Sequence, residues 1–409
     1  MKRVLLTLLQ SSFLAGILLP GVADAQLKNS AWGIFDLVNV DYVVLYNGTY
    51  VHTMGPDGPE VGGKDLLQDP GWKNPHITGF HIRADWNSIQ YRGPGTYDWS
   101  YLDYALGQCQ LNAESNATKG TKLPTQISLL VVLVGKDGSP GWITGPNNQV
   151  GAAQFIFNTG PDQQYMPAPW DPVFQSYWQQ FVNALGQRYD SSPYLSYVAC
   201  NGASRSGEMF LCSNSADDAE LMAVPGGVQT WINAAESIAG FYATAFPTTP
   251  LQWNSGNPFS RNDLIVNGAV TNFSYVEDYC TGISGQTSNR QEVDYNPAGP
   301  YYKSDQGYMG PFSTFGPQFG LKSCALARGH PAPRQYDRHA IPYLSYRHLH
   351  HPACGFQMSH AFGHGTKLND ALSLGERLNA QMIEVYSADV VQFPQEIEKA
   401  QHALLAHKP

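Results

Sequence analysis

The sequence has little basic charge and no long apolar run after its first 25 residues. It has 24 Lys and Arg residues against 33 Asp and Glu residues, for a net charge of −9. An acidic chain without a basic cluster is a poor ligand for nucleic acid or anionic membranes. No later run reaches the roughly 18 apolar residues that span a bilayer. We therefore predict no nucleic-acid partner and no membrane insertion.

Several nucleotide and nucleophile motifs are also missing. There is no GxGxxG after a strand, no Walker loop and no GxSxG turn, so neither a dinucleotide site nor a serine-hydrolase elbow is indicated. We predict no cofactor.

The first residues, MKRVLLTLLQSSFLAGILLPGVADAQ, form a basic start, an apolar stretch and a small-x-small site at 23–25. This order is typical of a secretory signal peptide of bacterial type. We expect residues 1–25 to be a signal peptide, residues 26–409 to be the mature domain, and the protein to be secreted or periplasmic.

Cysteines are few, and in an exported protein they can form disulfides. Six cysteines allow 15 complete pairings, and a Cys200–Cys212 bond would hold the loop between them. The alternative is that they are buried small hydrophobic residues. The six are Cys109, Cys200, Cys212, Cys280, Cys324 and Cys354.

Short apolar runs alternate with helical patterns along the chain. Such runs are typical of strands buried on both faces of a parallel sheet, and eight of them separated by helices predict a single (β/α)8 barrel, an α/β fold. The aperiodic segment 271–318 is expected as a long loop insertion over the C-terminal face. The runs are 40–47, 78–83, 126–134, 194–200, 249–253, 319–326, 353–358 and 380–386, and the helices include 173–188, 228–244 and 368–379.

Aromatic, amide and carboxylate side chains fall at the ends of these predicted strands. Active sites of (β/α)8 barrels lie at the C-terminal strand ends. Aromatic rings can face the C–H surface of a sugar while amides pair with its hydroxyls, so we predict a carbohydrate substrate. The predicted substrate-binding residues are Asp85, Trp86, Trp142, Asn201, Trp253, Asn254, Gln357, His360 and Tyr386.

The stretch NGASRSGEMFL, at 201–211, carries the predicted catalytic acid, Glu208. Small residues before Glu208 leave room for a substrate, and the apolar residues after it would raise its pKa toward neutrality. In the alternative interpretation, Glu208 only complements the dipole of a helix that it begins.

Four segments, DWNSIQYRGPGTYDWSYLDYAL, SPGW at 139–142, WQQFVNALGQRY and NGASRSGEMF, occur in this order between residues 78 and 211. Together they resemble the corresponding segments of (β/α)8 glycoside hydrolases of the beta-galactosidase and cellulase type, and the last is similar to a turn of beta-amylases. The resemblance implies hydrolysis of a glycosidic bond in a poly- or oligosaccharide, with Glu208 as the general acid.

Glycosidases of this kind need a second carboxylate. Retaining relatives hold a nucleophilic Glu at the end of strand seven, where this chain has Gln357, and an amide cannot be that nucleophile. Glu384, in AQMIEVY, is the best remaining candidate because a carboxylate in an apolar strand is costly unless used or paired. It could instead form a structural ion pair, for example with Arg205. The missing strand-seven Glu keeps a second function open, a barrel that binds carbohydrate without cleaving it.

Histidines crowd the region around the predicted seventh strand. Their spacing lacks the i, i+4 pattern of a helical zinc site, so we predict no metal there. A hydrolase or lyase of different chemistry would be favoured only by a bound metal. The histidines are His339, His348, His350, His351, His360 and His364.

Overall fold

Strands and helices alternate through most of the structure, which is a computed structural model. It describes residues 28, 31–38, 42–46, 49–55, 58–61, 64–65, 69–133, 138–157, 164–205, 211–212, 214–254, 263–266, 269–272, 319–326, 354–358, 361–377 and 380–408. In this part of the chain the strands are β1 Gly33–Val38, β2 Tyr42–Tyr46, β3 Thr49–Gly55, β4 Gly58–Val61, β5 Lys64–Asp65, β6 Gly79–Asp85, β7 Gln126–Val132, β8 Gln154–Phe157, β9 Gln164–Pro167, β10 Leu195–Ala199, β11 Leu251–Asn254, β12 Asp263–Val266, β13 Ala269–Asn272, β14 Phe319–Leu326, β15 Cys354–Met358 and β16 Met382–Tyr386. The described α-helices are α1 Trp86–Gln90, α2 Ser100–Lys119, α3 Pro172–Tyr189, α4 Ser215–Ala223, α5 Val228–Ala245, α6 Gly365–Arg377, α7 Ser387–Gln392 and α8 Pro394–Ala406.

Eight parallel strands among the described residues form a closed barrel in the order β1-β6-β7-β10-β11-β14-β15-β16. The first and last of these strands pair in parallel and close the sheet, with Phe35 opposite both Gly79 of β6 and Glu384 of β16. A closed parallel sheet with intervening helices is the (β/α)8 architecture, as the sequence predicts.

Seven of the eight predicted strands match barrel strands, but the first prediction is wrong. The predicted run at 40–47 covers β2, which belongs to a separate four-stranded sheet with β3, β4 and β5. The first barrel strand is β1, whose sequence GIFDLV carries an acidic residue, Asp36, near its centre. The apolar pattern therefore favours the neighbouring run over β1.

In the part of the chain that the structure describes, three small sheets lie outside the barrel, and each follows the C-terminal end of a barrel strand. The sheet β2–β5 follows β1, the hairpin β8–β9 follows β7, and the hairpin β12–β13 follows β11. The C-terminal side of the barrel therefore carries the elaborated connections, which is where (β/α)8 enzymes bind their substrates. Apart from 271–272 in β13, the predicted insertion at 271–318 lies outside the described residues.

The helix layer packs on the barrel through aromatic side chains. Helix α3 begins at Pro172, and the carboxylate of Asp171 caps it by accepting a hydrogen bond from the Phe174 N–H at 2.8 Å. Trp178 of α3 is fully buried and contacts Trp86 edge-on. Burying one such side chain contributes about 1.5–3 kcal/mol, so this contact fixes α3 against α1, the short helix that follows β6.

Helix α8 returns to the first barrel strand. The Gln401 side chain accepts a hydrogen bond from the Ile34 N–H at 2.6 Å, and it donates to the Thr78 hydroxyl at 3.0 Å. Ile397 and Leu404, on the same side of α8, are fully buried. The last helix is therefore held at the N-terminal ends of β1 and β6. Within the described residues no helix has the length and apolar character to cross a membrane.

Candidate active site

Four polar side chains meet inside the barrel, and none of them is exposed to solvent. The Tyr197 hydroxyl donates a hydrogen bond to Oε1 of Glu384. Nδ1 of His81 lies 3.2 Å from the same carboxylate oxygen, 3.3 Å from the Tyr197 hydroxyl and 2.8 Å from the Ser128 hydroxyl. Glu384, the predicted second carboxylate, is therefore the centre of a buried polar cluster.

Strand alternation places this cluster in the interior. In β6, His81 lies between Phe80 and Ile82, which pack in the core between sheet and helices. In β16, Glu384 lies between Ile383 and Val385, which belong to the same core. Successive side chains of a strand point to opposite faces, so the polar residues point into the barrel. The interior of such barrels is usually filled by branched apolar residues.

A second polar contact lies next to this cluster. Arg83 is two residues beyond His81 in β6, and its Nη2 donates to Oε1 of Gln357 at 2.9 Å. Gln357 is 1% exposed, whereas Arg83 is partly exposed. Gln357 is also the register partner of Glu384. Arg83 and Gln357 therefore connect the buried cluster to the C-terminal side, and they place a cation and an amide where carbohydrate contacts were predicted.

The structure corrects the prediction for two tryptophans. Trp86 is 0% exposed and Trp142 is 4% exposed. Their rings contact each other edge-on, and the ring centroids are 5.8 Å apart. The Trp142 ring N–H donates a hydrogen bond to the Gln90 carbonyl at 2.7 Å. Neither ring offers a face to a sugar. Their position near strand ends reflects packing between the sheet and α3, not a substrate platform.

Asn201 is also a structural residue. Its side chain donates to the Val131 carbonyl at 2.7 Å and accepts from the Ser204 hydroxyl at 2.8 Å, and it is fully buried. The next residue, Gly202, has φ 126°, and a Cβ there would lie 2.4 Å from the Trp178 ring nitrogen. The predicted sugar contact at Asn201 is therefore wrong, since this residue fixes the turn that leaves β10.

That turn leads into the segment that carries the predicted acid. The Trp231 N–H donates to the Ala203 carbonyl at 2.7 Å, and the Leu133 N–H donates to the Arg205 carbonyl at 3.3 Å. Glu208 and the other residues of 206–210 lie outside the described residues. The described chain resumes at the buried residues Leu211 and Cys212. Both flanks of Glu208 are thus anchored, the first of them at the C-terminal end of β10.

The predicted Cys200–Cys212 disulfide is absent. Both thiols are free and buried, as is that of Cys109. Burial raises the pKa of Cys200 and Cys212 well above the usual value, and for Cys212 the nearby carboxylates of Asp218 and Asp217 raise it further. These cysteines fit the alternative interpretation of small buried hydrophobic residues.

The remaining predicted residues are placed as follows. Asp85 ends β6 and is 7% exposed, and Tyr386 ends β16 with a half-buried ring. Trp253 and Asn254 form the last two positions of β11. His360 lies outside the described residues. Asp85, Tyr386 and Asn254 therefore all lie at the C-terminal strand ends, as predicted.

Sequence reasoning missed His81, Arg83 and Tyr197. The signal was present, because polar residues at alternating positions of a buried parallel strand must face the barrel interior. The runs TGFHIR and YLSYVA were interpreted only as apolar segments.

No known protein family matches the sequence, and no curated protein matches it. Similar solved structures include the catalytic domain of beta-amylase from Paenibacillus polymyxa, with 10% identity, a TM-score of 0.48, and coverage of 93% of this chain and 100% of that one. Endo-glycoceramidase II from Rhodococcus sp. has 10% identity and a TM-score of 0.44 over 89% of this chain and 75% of its own. An exo-beta-1,4-mannosidase from Opitutaceae bacterium strain TAV5 has 11% identity and a TM-score of 0.42, with coverage of 87% of this chain and 51% of its own. The (β/α)8 architecture itself follows from the strand pairing.

Proposed function

We propose that the protein is a glycoside hydrolase that cleaves glycosidic bonds of a poly- or oligosaccharide, with its active site at the C-terminal face of the barrel. The observation that carries the proposal is the polar interior: a carboxylate, a histidine, a tyrosine and an Arg–amide pair lie inside the barrel. A buried charge is costly, and such groups are concentrated at functional sites. The signal-peptide pattern supports action outside the cytoplasm.

Glu208 is the proposed general acid. It follows a turn that is fixed by buried hydrogen bonds at the end of β10, so the fold supplies a rigid base for this loop. In the reaction, Glu208 gives a proton to the glycosidic oxygen as the bond from this oxygen to the anomeric carbon breaks. A carboxylate or an activated water attacks that carbon from its other side. The proton leaves with the released sugar hydroxyl.

For Glu384 we infer a supporting role in the closed interior. Its carboxylate is fully buried and bound by Tyr197 and His81, whereas a nucleophile or base must reach the anomeric carbon or a water beside it. We infer that Glu384 fixes the two rings beneath the site, and that any part it takes in the reaction requires the interior to open.

The experiment replaces Glu208 by Gln and compares a natural oligosaccharide with an activated aryl glycoside. Loss of the proton donor should lower kcat on the oligosaccharide by about 10²–10⁴, and it should impair aryl glycoside cleavage less because that leaving group needs little protonation. Glu114→Gln is the matched control, because Glu114 is exposed on α2. Full activity of Glu208→Gln would remove the proposed role.

A carbohydrate-binding barrel without activity is the second candidate, and the Arg83–Gln357 contact favours it. In that case the amide occupies the place of a nucleophile and Arg83 holds it. Wild-type protein that binds glycans but turns over none of a broad substrate panel would support this candidate. Gln357→Glu would then place a carboxylate beside Arg83, and a gain of aryl glycoside cleavage in that variant would identify position 357 as the missing group.

A further inference from the structure

Three side chains with metal-binding atoms meet on the surface, away from the candidate active site. They are His76, Glu398 and His402, and one ligand atom from each lies within 4.8 Å of the others. Nδ1 of His76 is 3.8 Å from Oε1 of Glu398. The two imidazole rings are 6.4 Å apart between centroids and nearly perpendicular, at 84°.

The sequence brings these groups together in two steps. Glu398 and His402 are four residues apart on α8, so they lie on the same face of that helix. His76 lies in the turn before β6, and its backbone N–H donates to Oδ1 of Asn74 at 2.8 Å. A helix face thus supplies two ligands and a fixed turn supplies the third.

The two elements are held together without any help from the three side chains. Gln401, next to His402 in sequence, hydrogen bonds to both Ile34 and Thr78. Thr78 in turn donates to the Trp32 carbonyl at 2.7 Å. Preorganised ligands lose little freedom when they bind an ion, so this frame favours binding.

We propose that His76, Glu398 and His402 bind a divalent transition-metal ion of the Zn²⁺ class. Two imidazoles and one carboxylate suit Zn²⁺, whereas Mg²⁺ and Ca²⁺ prefer oxygen ligands only. In a tetrahedral site with bonds of about 2.1 Å, ligand atoms are about 3.4 Å apart. The three groups are half-buried or exposed, so side-chain rotation can bring their atoms to that spacing. Water completes the coordination.

This site would act as a clamp on the last helix. His76 precedes β6, so the site lies at the N-terminal end of that strand, whereas Arg83 lies towards its C-terminal end. A bound ion would join α8 to the first turn before β6 across more than 300 residues of sequence. The proposal is therefore independent of the proposed hydrolase activity.

The test uses the full mature chain, without a histidine tag and stripped of metal by a chelator. Isothermal titration and thermal unfolding are measured with ZnCl2, MgCl2 and CaCl2. We expect Zn²⁺ alone to bind at this site, and at about 100 times its Kd to raise Tm by about 2–4 °C. Hydrogen exchange in α8 should slow when Zn²⁺ is added.

The variant His402→Ala removes one exposed ligand, and His407→Ala is its matched control at the end of the same helix. Other histidines of the chain can also bind Zn²⁺, so the readout is the difference between the two variants. We expect His402→Ala to bind one Zn²⁺ fewer than His407→Ala, and to lose the Tm shift and the protection of α8. Equal stoichiometry and equal protection in both variants would overturn the proposal.

Discussion

At the scale of single residues, the buried polar cluster described in the barrel interior is centred on the carboxyl group of Glu384. Its Oε1 accepts a hydrogen bond from the Tyr197 hydroxyl and lies 3.2 Å from Nδ1 of His81, and the side chain has no solvent contact. In a low-dielectric interior such a network is strong when every polar group has a hydrogen-bond partner. Removal of one member leaves a buried polar group without that partner. Glu384 should therefore affect stability whatever its part in the reaction.

We expect Glu384→Ala to lower the free energy of unfolding by about 3 kcal/mol, since it removes the acceptor of the buried Tyr197 hydroxyl and the carboxyl group beside His81. Tyr197→Phe, which removes only the hydroxyl, should cost about 1–3 kcal/mol. Urea unfolding of both single variants and the double variant gives the coupling energy between the two side chains, expected at about 0.5–3 kcal/mol. Strict additivity would contradict the hydrogen bond described here.

At the scale of elements, helix α4 is the first described helix after Glu208 in the sequence. Its N-cap is Asn214, whose side chain accepts hydrogen bonds from the N–H groups of Ala216 and Asp217. The helix is only nine residues long, and isolated helices of this length are marginal. The cap therefore fixes the point at which the loop rejoins the fold.

We expect Asn214→Ala to lower the free energy of unfolding by about 1 kcal/mol, the usual effect of losing such a cap. Asp171→Ala removes the equivalent cap of α3 and serves as the matched control. Both variants should lose similar stability in urea unfolding. Only Asn214→Ala should also raise KM or lower kcat, because only its helix adjoins the Glu208 loop. Identical kinetics in the two variants would separate α4 from the site.

The elements also show what the sequence could predict. Seven barrel strands were predicted because a parallel strand buried on both faces produces a short continuous apolar run. The pattern favours β2 over β1 because Asp36 divides the apolar residues of β1, whereas β2 is the uninterrupted run YVVLY. The site residues are harder to predict, since a position at a strand end does not reveal which way a ring points. The rings of Trp86 and Trp142 are buried in the helix layer. Contacts such as Arg83 with Gln357 join residues 274 apart, and no local pattern encodes them.

At the scale of the whole molecule, the barrel closes where its first and last strands pair, and a buried acid lies at this seam. Asp36 of β1 accepts a hydrogen bond from the hydroxyl of Ser387, the first residue of α7. Burial and the nearby Asp69 carboxylate raise the pKa of Asp36 well above its usual range, although the Ser387 hydrogen bond lowers it. Asp36 therefore keeps its proton in the folded state at pH values where the unfolded chain has lost it.

Because the folded state then binds the extra proton, the Asp36 contribution to stability falls as the pH rises above about 4, the usual pKa of Asp. We expect Asp36→Asn, which stays neutral and retains an acceptor for Ser387, to remove this dependence and to be more stable than wild type at pH 7. Ser387→Ala, which removes the hydrogen bond to Asp36, should be less stable than wild type at pH 7. Urea unfolding from pH 4 to pH 8 measures both, and a parallel pH profile of wild type and Asp36→Asn would contradict the assignment.

The same seam has a consequence for biosynthesis. The contacts of Asp36 with Ser387 and of Ile34 with Gln401 join residues 351 and 367 apart. A growing chain therefore displays β1 with an unpaired edge until almost the whole polypeptide has been made, and such edges invite association with other chains. For a protein of this topology, we therefore expect a chaperone that shields the early strands to raise the yield of correctly folded molecules.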